Sequence, residues 1–381
     1  MTSVIVIGAG LAGSSAAWRL AEAGHDVTVL ERGTPANALG SSHGSARIFR
    51  YAYPSRTYVD LVVRAAAGWD VLAAANGAPL VTPTGAADFG ATRDPAHLAD
   101  VLADAGVEHS WITASDARER WGIAADTDVL WHPDAGVIDA ERAVEAMLAQ
   151  AVAAGARVVT DWPVASVTRT ATGYRATRAP GTTDAPASFD AEQVVVAAGG
   201  WLPDLLDALA LPDGYRAGFP ELEVRQEQAY HFPYRDPSTA GAWPTFIHKS
   251  PEIQVYGLPG GRDADHRGQK VAEYNGGKRI PSAAHHDQVV DPANRQRVIE
   301  YVEQYLPGLV PEPYAETTCL FTNTPDEDFV IDRVEGITVL SPCSGHGAKF
   351  APILGSFVLD LVEDRPDEVP VLFRPGLAVA R

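Results

Sequence analysis

Sulfur is scarce in this chain: two cysteines and two methionines in 381 residues. Two cysteines cannot build a disulfide framework, so reduced thiols are expected. Positive charge is also short, with 30 Lys and Arg against 49 Asp and Glu and a net charge of -19. That balance argues against nucleic acid or an anionic membrane as a partner. No apolar run approaches the ~20 residues of a membrane span. The opening MTSVIVIGAG has neither a basic leader nor an apolar core of signal length, and a soluble, cytoplasmic protein is expected. Neither C-x-x-C nor H-E-x-x-H spacing occurs, so no metal is expected. A G-x-S-x-G elbow and a P-loop are missing as well, which leaves no nucleophilic or nucleotide-hydrolysing motif.

What is present begins at once. SVIVIGAGLAGSSAAWRLAEAGHDVTVLER reads as strand, glycine turn, helix and strand. Val4 to Ile7 is a continuous apolar run, as in a strand buried on both faces of a parallel sheet. Gly8, Gly10 and Gly13 follow as G-x-G-x-x-G, and Ala16, Ala17, Leu20 and Ala21 then recur at helical spacing. Gly8 permits the tight turn, Gly10 lets a pyrophosphate approach the backbone, and Gly13 lets helix and sheet pack closely. The helix N-terminus offers free N–H groups to phosphate. Glu31 closes the second strand, placed to accept hydrogen bonds from a ribose diol and to repel a 2′-phosphate. This fingerprint fits NAD and FAD equally. No second one follows, so a reductase binding both is not expected. A later strand, Val194 to Ala197, runs into Gly199 and Gly200 and a helix with Leu202, Leu205 and Leu206. It suits a second close approach of backbone to the same cofactor, or an ordinary strand-to-helix turn.

Three further stretches carry chemistry. SSHGSARIFRYAY, residues 41–53, is a polar loop with one His and two Arg. If it turns helically, Arg47 and Arg50 share a face, and paired guanidinium forks suit phosphate or carboxylate. A solvated basic loop is the plainer alternative. CLFTNTPDEDFVID places Cys319 in an apolar, strand-like run, either as a small buried hydrophobe or as a needed thiol. SGHGAKF, residues 344–350, lies between a strand, Ile337 to Leu340, and an apolar helix from about Ala351. Its glycine loop delivers N–H groups at a helix N-terminus, which favour developing negative charge. The intervening regions hold alternating strands at Glu223 to Phe232 and Ile253 to Leu258 and fit a second, largely antiparallel layer.

These motifs, in this order, resemble the flavin-dependent amine oxidases of the D-amino-acid oxidase superfamily, in the branch of monomeric sarcosine oxidase and N-methyltryptophan oxidase. The resemblance spans nearly the whole chain. It implies an α/β fold: a Rossmann-like FAD-binding domain of residues 1–83, 138–215 and 316–381, with an inserted α+β substrate domain of residues 84–137 and 216–315 on a largely antiparallel sheet. It implies that FAD is held by Gly8, Gly10, Leu11, Ala12, Gly13, Glu31 and Arg32. Ser42, His43, Arg47, Ala198, Gly199 and Trp201 join them, as do the loop residues Gly345, His346, Gly347 and Lys349. Cys319 is implied to form a thioether with the flavin 8α-methyl group, and Cys343 only to pack.

For catalysis, the resemblance implies that Arg50 and Lys349 grip a substrate carboxylate, His43 and Arg47 lie against the flavin, and Lys270 activates dioxygen. Tyr256 matches an active-site tyrosine. Tyr274 falls where sarcosine oxidases carry a histidine, which argues against small N-methyl substrates. Asp326 and Asp328 read as structural. The implied reaction is oxidation of a carboxylate-bearing secondary or cyclic amine by hydride transfer to flavin N5, giving an imine and, from O2, H2O2. A fructosyl-amino-acid oxidase, an amine dehydrogenase feeding a carrier, and a non-catalytic FAD-binding protein are the alternatives. A monomer, with no partner beyond the amine and O2, is expected.

Overall fold

The computed structural model describes residues 1–181 and 186–375. Strand Ser3–Ile7 is buried from Val4 onward, as its run of apolar side chains on both faces requires. It lies between Asp26–Leu30 and Gln193–Val196, both parallel to it. The sheet extends through Arg157–Val159 on one side and Ile337–Ser341 on the other, with Val330–Val334 as an antiparallel edge.

Helix Leu11–Glu22 is buried over most of its surface, because it is wedged between helices Ala140–Ala153 and Ala351–Val362. This explains its small residues. Ser14, Ser15, Ala16 and Ala17 are fully buried, and the Gly355 N–H donates to Ser15 Oγ at 2.9 Å. A Cβ on Gly355 would stand 2.0 Å from the Ser15 carbonyl oxygen, so the helices cross at backbone contact. Among the described residues, no helix is long and apolar enough to cross a membrane.

The second layer is a larger sheet. Its strands run in the order Lys278–Ile280, Glu223–Pro233, Gly268–Glu273, Gln254–Pro259, Thr245–Lys249, Ala86–Phe89, Val129–His132 and Ser110–Ile112. Every pair is antiparallel except Thr245–Lys249 with Ala86–Phe89. Strand Ala315–Asn323 lies along Glu223–Pro233 for its whole length, pairing Cys319 with Glu227. The cysteine strand, which the sequence division assigns to the third piece of the cofactor domain, is therefore built into this sheet. A small sheet of Arg47–Phe49, Gly136–Ile138 and Val81–Pro83 sits where the chain crosses between layers.

The helical turn considered for Arg47 and Arg50 is not formed. Pairing of Arg47, Ile48 and Phe49 with Ile138, Val137 and Gly136 holds the segment extended. The two arginines meet one cavity by a different route, since Arg50 lies just past the strand end with its guanidinium over the Tyr53 ring.

Candidate active site

A cavity of about 780 Å³ runs between the layers, within the size range of sites for cofactors and small ligands. One stretch of its wall is the fingerprint. Gly8 has φ +100°, and a Cβ there would stand 2.5 Å from the Ala197 carbonyl oxygen, so the two glycine turns abut. A Cβ on Gly13 would lie 1.9 Å from Gly8 O, and one on Gly10 2.8 Å from Ser42 Oγ. Gly8, Gly10, Leu11 and Ala12 line the cavity, whereas Gly13 is consumed in the helix–sheet contact. Ser42 Oγ accepts from the Leu11 N–H at 3.0 Å and so orients the helix start.

Glu31 is 6% exposed and, among the described residues, makes no ion pair. Its carboxylate accepts from the Ala9 N–H at 2.7 Å, the Gly33 N–H at 3.0 Å and the Asn37 amide at 3.4 Å. A carboxylate has about four acceptor sites, so Glu31 keeps capacity toward the cavity it lines. Beside it the Arg32 guanidinium stacks 4.5 Å over the Trp201 ring. Ala198 and Gly199, at the 3₁₀ turn Gly199–Trp201, complete that end. A side-chain-free phosphate cradle, a buried acid with spare acceptors and a flat cationic wall fit a dinucleotide such as FAD.

At the other end stand Cys319, Lys270, Arg47 and Tyr256. Arg47 donates to Ala46 O at 2.9 Å, Ser41 O at 3.0 Å and His43 O at 2.7 Å, tying the 41–46 loop together. Lys270, 5% exposed, pairs across strands with His231 and Leu258. Burial and the Arg47 charge push its ammonium down to about 8, against the pull of Cys319 and Asp263. Burial raises the Cys319 thiol above its ordinary range, while Arg47 and Lys270 draw it back. Tyr256, on strand Gln254–Pro259, is held far above its usual value by burial, so it stays a neutral phenol.

The 343–347 loop forms the cap. Gly345 has φ +71°, and a Cβ there would strike the Phe321 ring at 2.7 Å. His346 receives the Tyr53 hydroxyl at Nδ1, 2.9 Å, and donates from Nε2 to Glu327 O, 2.9 Å. Burial and Lys349 push it down to about 3, which leaves it a neutral cross-tie. Lys349, in the 3₁₀ turn Gly347–Phe350, is 3% exposed, and its ammonium donates to His346 O at 2.7 Å. Burial, then Arg50, hold it well below its ordinary value. The Tyr53 ring lies against both cations, 4.5 Å from Arg50 Cζ and 5.5 Å from Lys349 Nζ. Arg50 also donates to Ala52 O. Among the described residues, neither cation makes an ion pair with a carboxylate.

Cys343 lines the cavity beside Pro342, and Asp328 accepts from the Tyr58 hydroxyl at 2.8 Å. Tyr274 donates to Glu327 Oε1 at 2.8 Å. His43 stands behind Arg47 rather than on the wall. Its Nδ1–H donates to Gly40 O at 2.8 Å, and burial with the Arg47 charge pushes it down to about 4. Sequence reasoning missed Tyr53, Arg93, Lys249 and Glu327, all on the cavity. Tyr53 and Glu327 lie inside the quoted motifs, and only their company marks them; Arg93 and Lys249 carry no local signal.

The profile of the DAO family, described as FAD dependent oxidoreductase, matches residues 3–361. The chain is 30% identical over 380 residues to N-methyl-L-tryptophan oxidase of Yersinia pestis (strain Pestoides F), covering 97% of this chain and 96% of that protein. Among solved structures it is similar to NikD, an unusual amino acid oxidase essential for nikkomycin biosynthesis, with TM-score 0.82 and 24% identity over 98% of both chains. L-proline dehydrogenase from P. horikoshii gives TM-score 0.80 and 20% identity, over 98% of this chain and 96% of the other; both likenesses concern the fold. The chain belongs to the DAO family of FAD-dependent oxidoreductases.

Proposed function

We propose that the protein oxidises a secondary or cyclic amine that bears a carboxylate, and returns the electrons to dioxygen. The observation that carries this reading is the unpaired cation pair, Arg50 and Lys349, in the cavity wall. A buried ammonium without a counter-ion is costly, and burial with the Arg50 charge lowers the Lys349 pKa well below its ordinary value. An entering carboxylate supplies the missing counter-ion and is clamped by it. The Arg50 fork takes it bidentately and Lys349 as a point charge. The relative's substrate, by its name an N-methyl amino acid, has the same pair of groups.

Bound FAD would supply the hydride acceptor. The chain's part is orientation: the clamp fixes the amine-bearing C–H, and well-aligned reactants gain up to ~7–11 kcal/mol. Arg50 and Lys349 also disfavour the ammonium form of the amine, leaving its lone pair free. Lys270 supplies a fixed cation where negative charge develops on dioxygen, and Cys319 is placed to tether the flavin.

The test is a screen of N-methyl amino acids, proline- and pipecolate-like rings and glycated amino acids for peroxide release under air. Peroxide formation in step with imine product is expected. Anaerobic bleaching without peroxide in air would identify a dehydrogenase, and no bleaching by any carboxylate-bearing amine would overturn the reading.

Lys270 gives a separate expectation. In Lys270→Met the rate of reoxidation by O2 falls about 10²-fold or more, the scale of one lost electrostatic stabiliser. Reduction by the amine changes far less. Because the ammonium titrates at about 8, the wild-type oxygen step slows as pH rises through that value, and stopped-flow reoxidation of Lys270→Met lacks the inflection.

A further inference from the structure

Lys249 is a cation that the amine chemistry above leaves unused. It ends strand Thr245–Lys249, opposite Gln254 in the antiparallel pair, and both residues line the cavity. Its ammonium stands 5.6 Å from the centre of the Tyr274 ring. Among the described residues it makes no hydrogen bond or ion pair. Burial, then the charges of Arg93 and Arg50, lower its pKa, against the pull of Glu327 and Asp88. The lysine thus lines the same cavity as the substrate clamp.

Each nearby anion is held by another group, and among the described residues none makes an ion pair with Lys249. Asp88, fully buried, accepts from Arg93 Nε at 2.6 Å and lies 3.0 Å from His132 Nε2. Arg93 is locked by that carboxylate and by Ala52 O at 3.0 Å. Glu327 holds the Tyr274 hydroxyl. Among the described residues, Arg50, Lys349 and Lys249 are three cations with no ion pair to a carboxylate, around a cavity where one substrate carboxylate satisfies only two. A cation kept in a partly desolvated wall favours an anion there, and it penalises a neutral group that cannot replace the lost water.

We propose that the substrate carries a second anionic group, a side-chain carboxylate, received by Lys249 with the Gln254 amide beside it. This rests on the reading of the cavity as the site of a carboxylate-bearing amine, and it narrows the class to N-substituted or cyclic dicarboxylic amino acids. Lys249 is then a specificity-determining residue: it selects the far end of the substrate while Arg50 and Lys349 position the reacting end.

The experiment compares N-methyl-L-glutamate with N-methyl-L-glutamine, which differ in charge but hardly in shape, on the FAD-loaded enzyme. In wild type the ratio of their kcat/KM values is expected to be tenfold or more, carried by KM. It should fall to near unity in Lys249→Met, drop below unity in Lys249→Glu, and persist in Lys249→Arg. Calorimetric titration with glutarate and its monoamide, which cannot react, reads the same preference as a ratio of Kd and decides the matter even if neither amine turns over. A wild-type ratio at or below one, or a preference that survives in Lys249→Met, would show a solvated lysine and overturn the inference. If amines lacking a second carboxylate bleach the flavin freely and glutarate shows no advantage, only this inference falls. Where no carboxylate-bearing amine bleaches it, the functional reading falls first and this one with it.

Discussion

Replacing Arg50 with alanine lowers kcat/KM for the best carboxylate-bearing amine by about 10²-fold or more. Truncating one member of a buried charge-assisted contact costs about 2–5 kcal/mol, and ~1.4 kcal/mol is tenfold. The loss should appear in kcat as well as KM, because a loosely held carboxylate also misplaces the reacting C–H. Arg50→Lys keeps the charge but not the planar fork, so it recovers only part of the loss. Geometry adds a reason for expecting so large an effect. Lys349 is held by His346 O and Arg93 by Asp88, so neither is free to slide into the vacated place. The control is the amide of the same amine. Its already poor rate should hardly respond to the substitution, because the charge that Arg50 recognises is missing from it. Equal losses for acid and amide would mean that Arg50 shapes the loop instead of gripping substrate, and full activity on the acid would remove the clamp altogether.

The glycine cradle was legible because its signal is local. Four apolar residues, three spaced glycines and a terminal acid are each dictated by contacts within one strand–helix–strand unit, and the structure shows the steric reason at Gly8, Gly10 and Gly13. The buried strand carrying Cys319 could be read from its own composition, but not its partner. Pairing with Glu227 joins residues far apart in sequence, and nothing in either stretch specifies that register. The same limit hid Lys249. Its strand is aimed by a parallel pairing with Ala86–Phe89, so a lysine with no local motif is delivered to the cavity by tertiary packing. The 47–50 segment is the converse case. Its residue types pointed to anion binding, but spacing suggested a helical turn, and a ladder to Gly136–Ile138 decided the backbone. His43 shows that a motif residue can act from one layer back, since only its carbonyl meets Arg47.

Acid precipitation of the wild-type holoenzyme is expected to leave the yellow chromophore with the protein pellet, and Cys319→Ser to release it to the supernatant. Cys319 is 8% exposed, lines the cavity, and feels the charges of Arg47 and Lys270, with Glu227 opposing them. A cysteine kept only for packing needs none of this company. Thioether formation requires the thiolate. Attachment would form one S–C bond in exchange for the thiol proton and one methyl proton, and the two electrons and two protons released would convert dioxygen to H2O2. Burial holds the thiol above its ordinary range, so attachment during reconstitution of apoprotein with FAD should be slow near neutrality and quicken as pH rises. Arg47→Met removes the larger of the two charges that draw the thiol down, and should slow attachment further at fixed pH. Mass spectrometry of the denatured chain reads both effects directly, as the fraction carrying the flavin mass against time. Free flavin from the wild type after prolonged aerobic incubation at high pH would return Cys319 to the sheet core. Retention by Cys319→Ser would move the attachment elsewhere, with Cys343, the only other cysteine, as the next residue to replace.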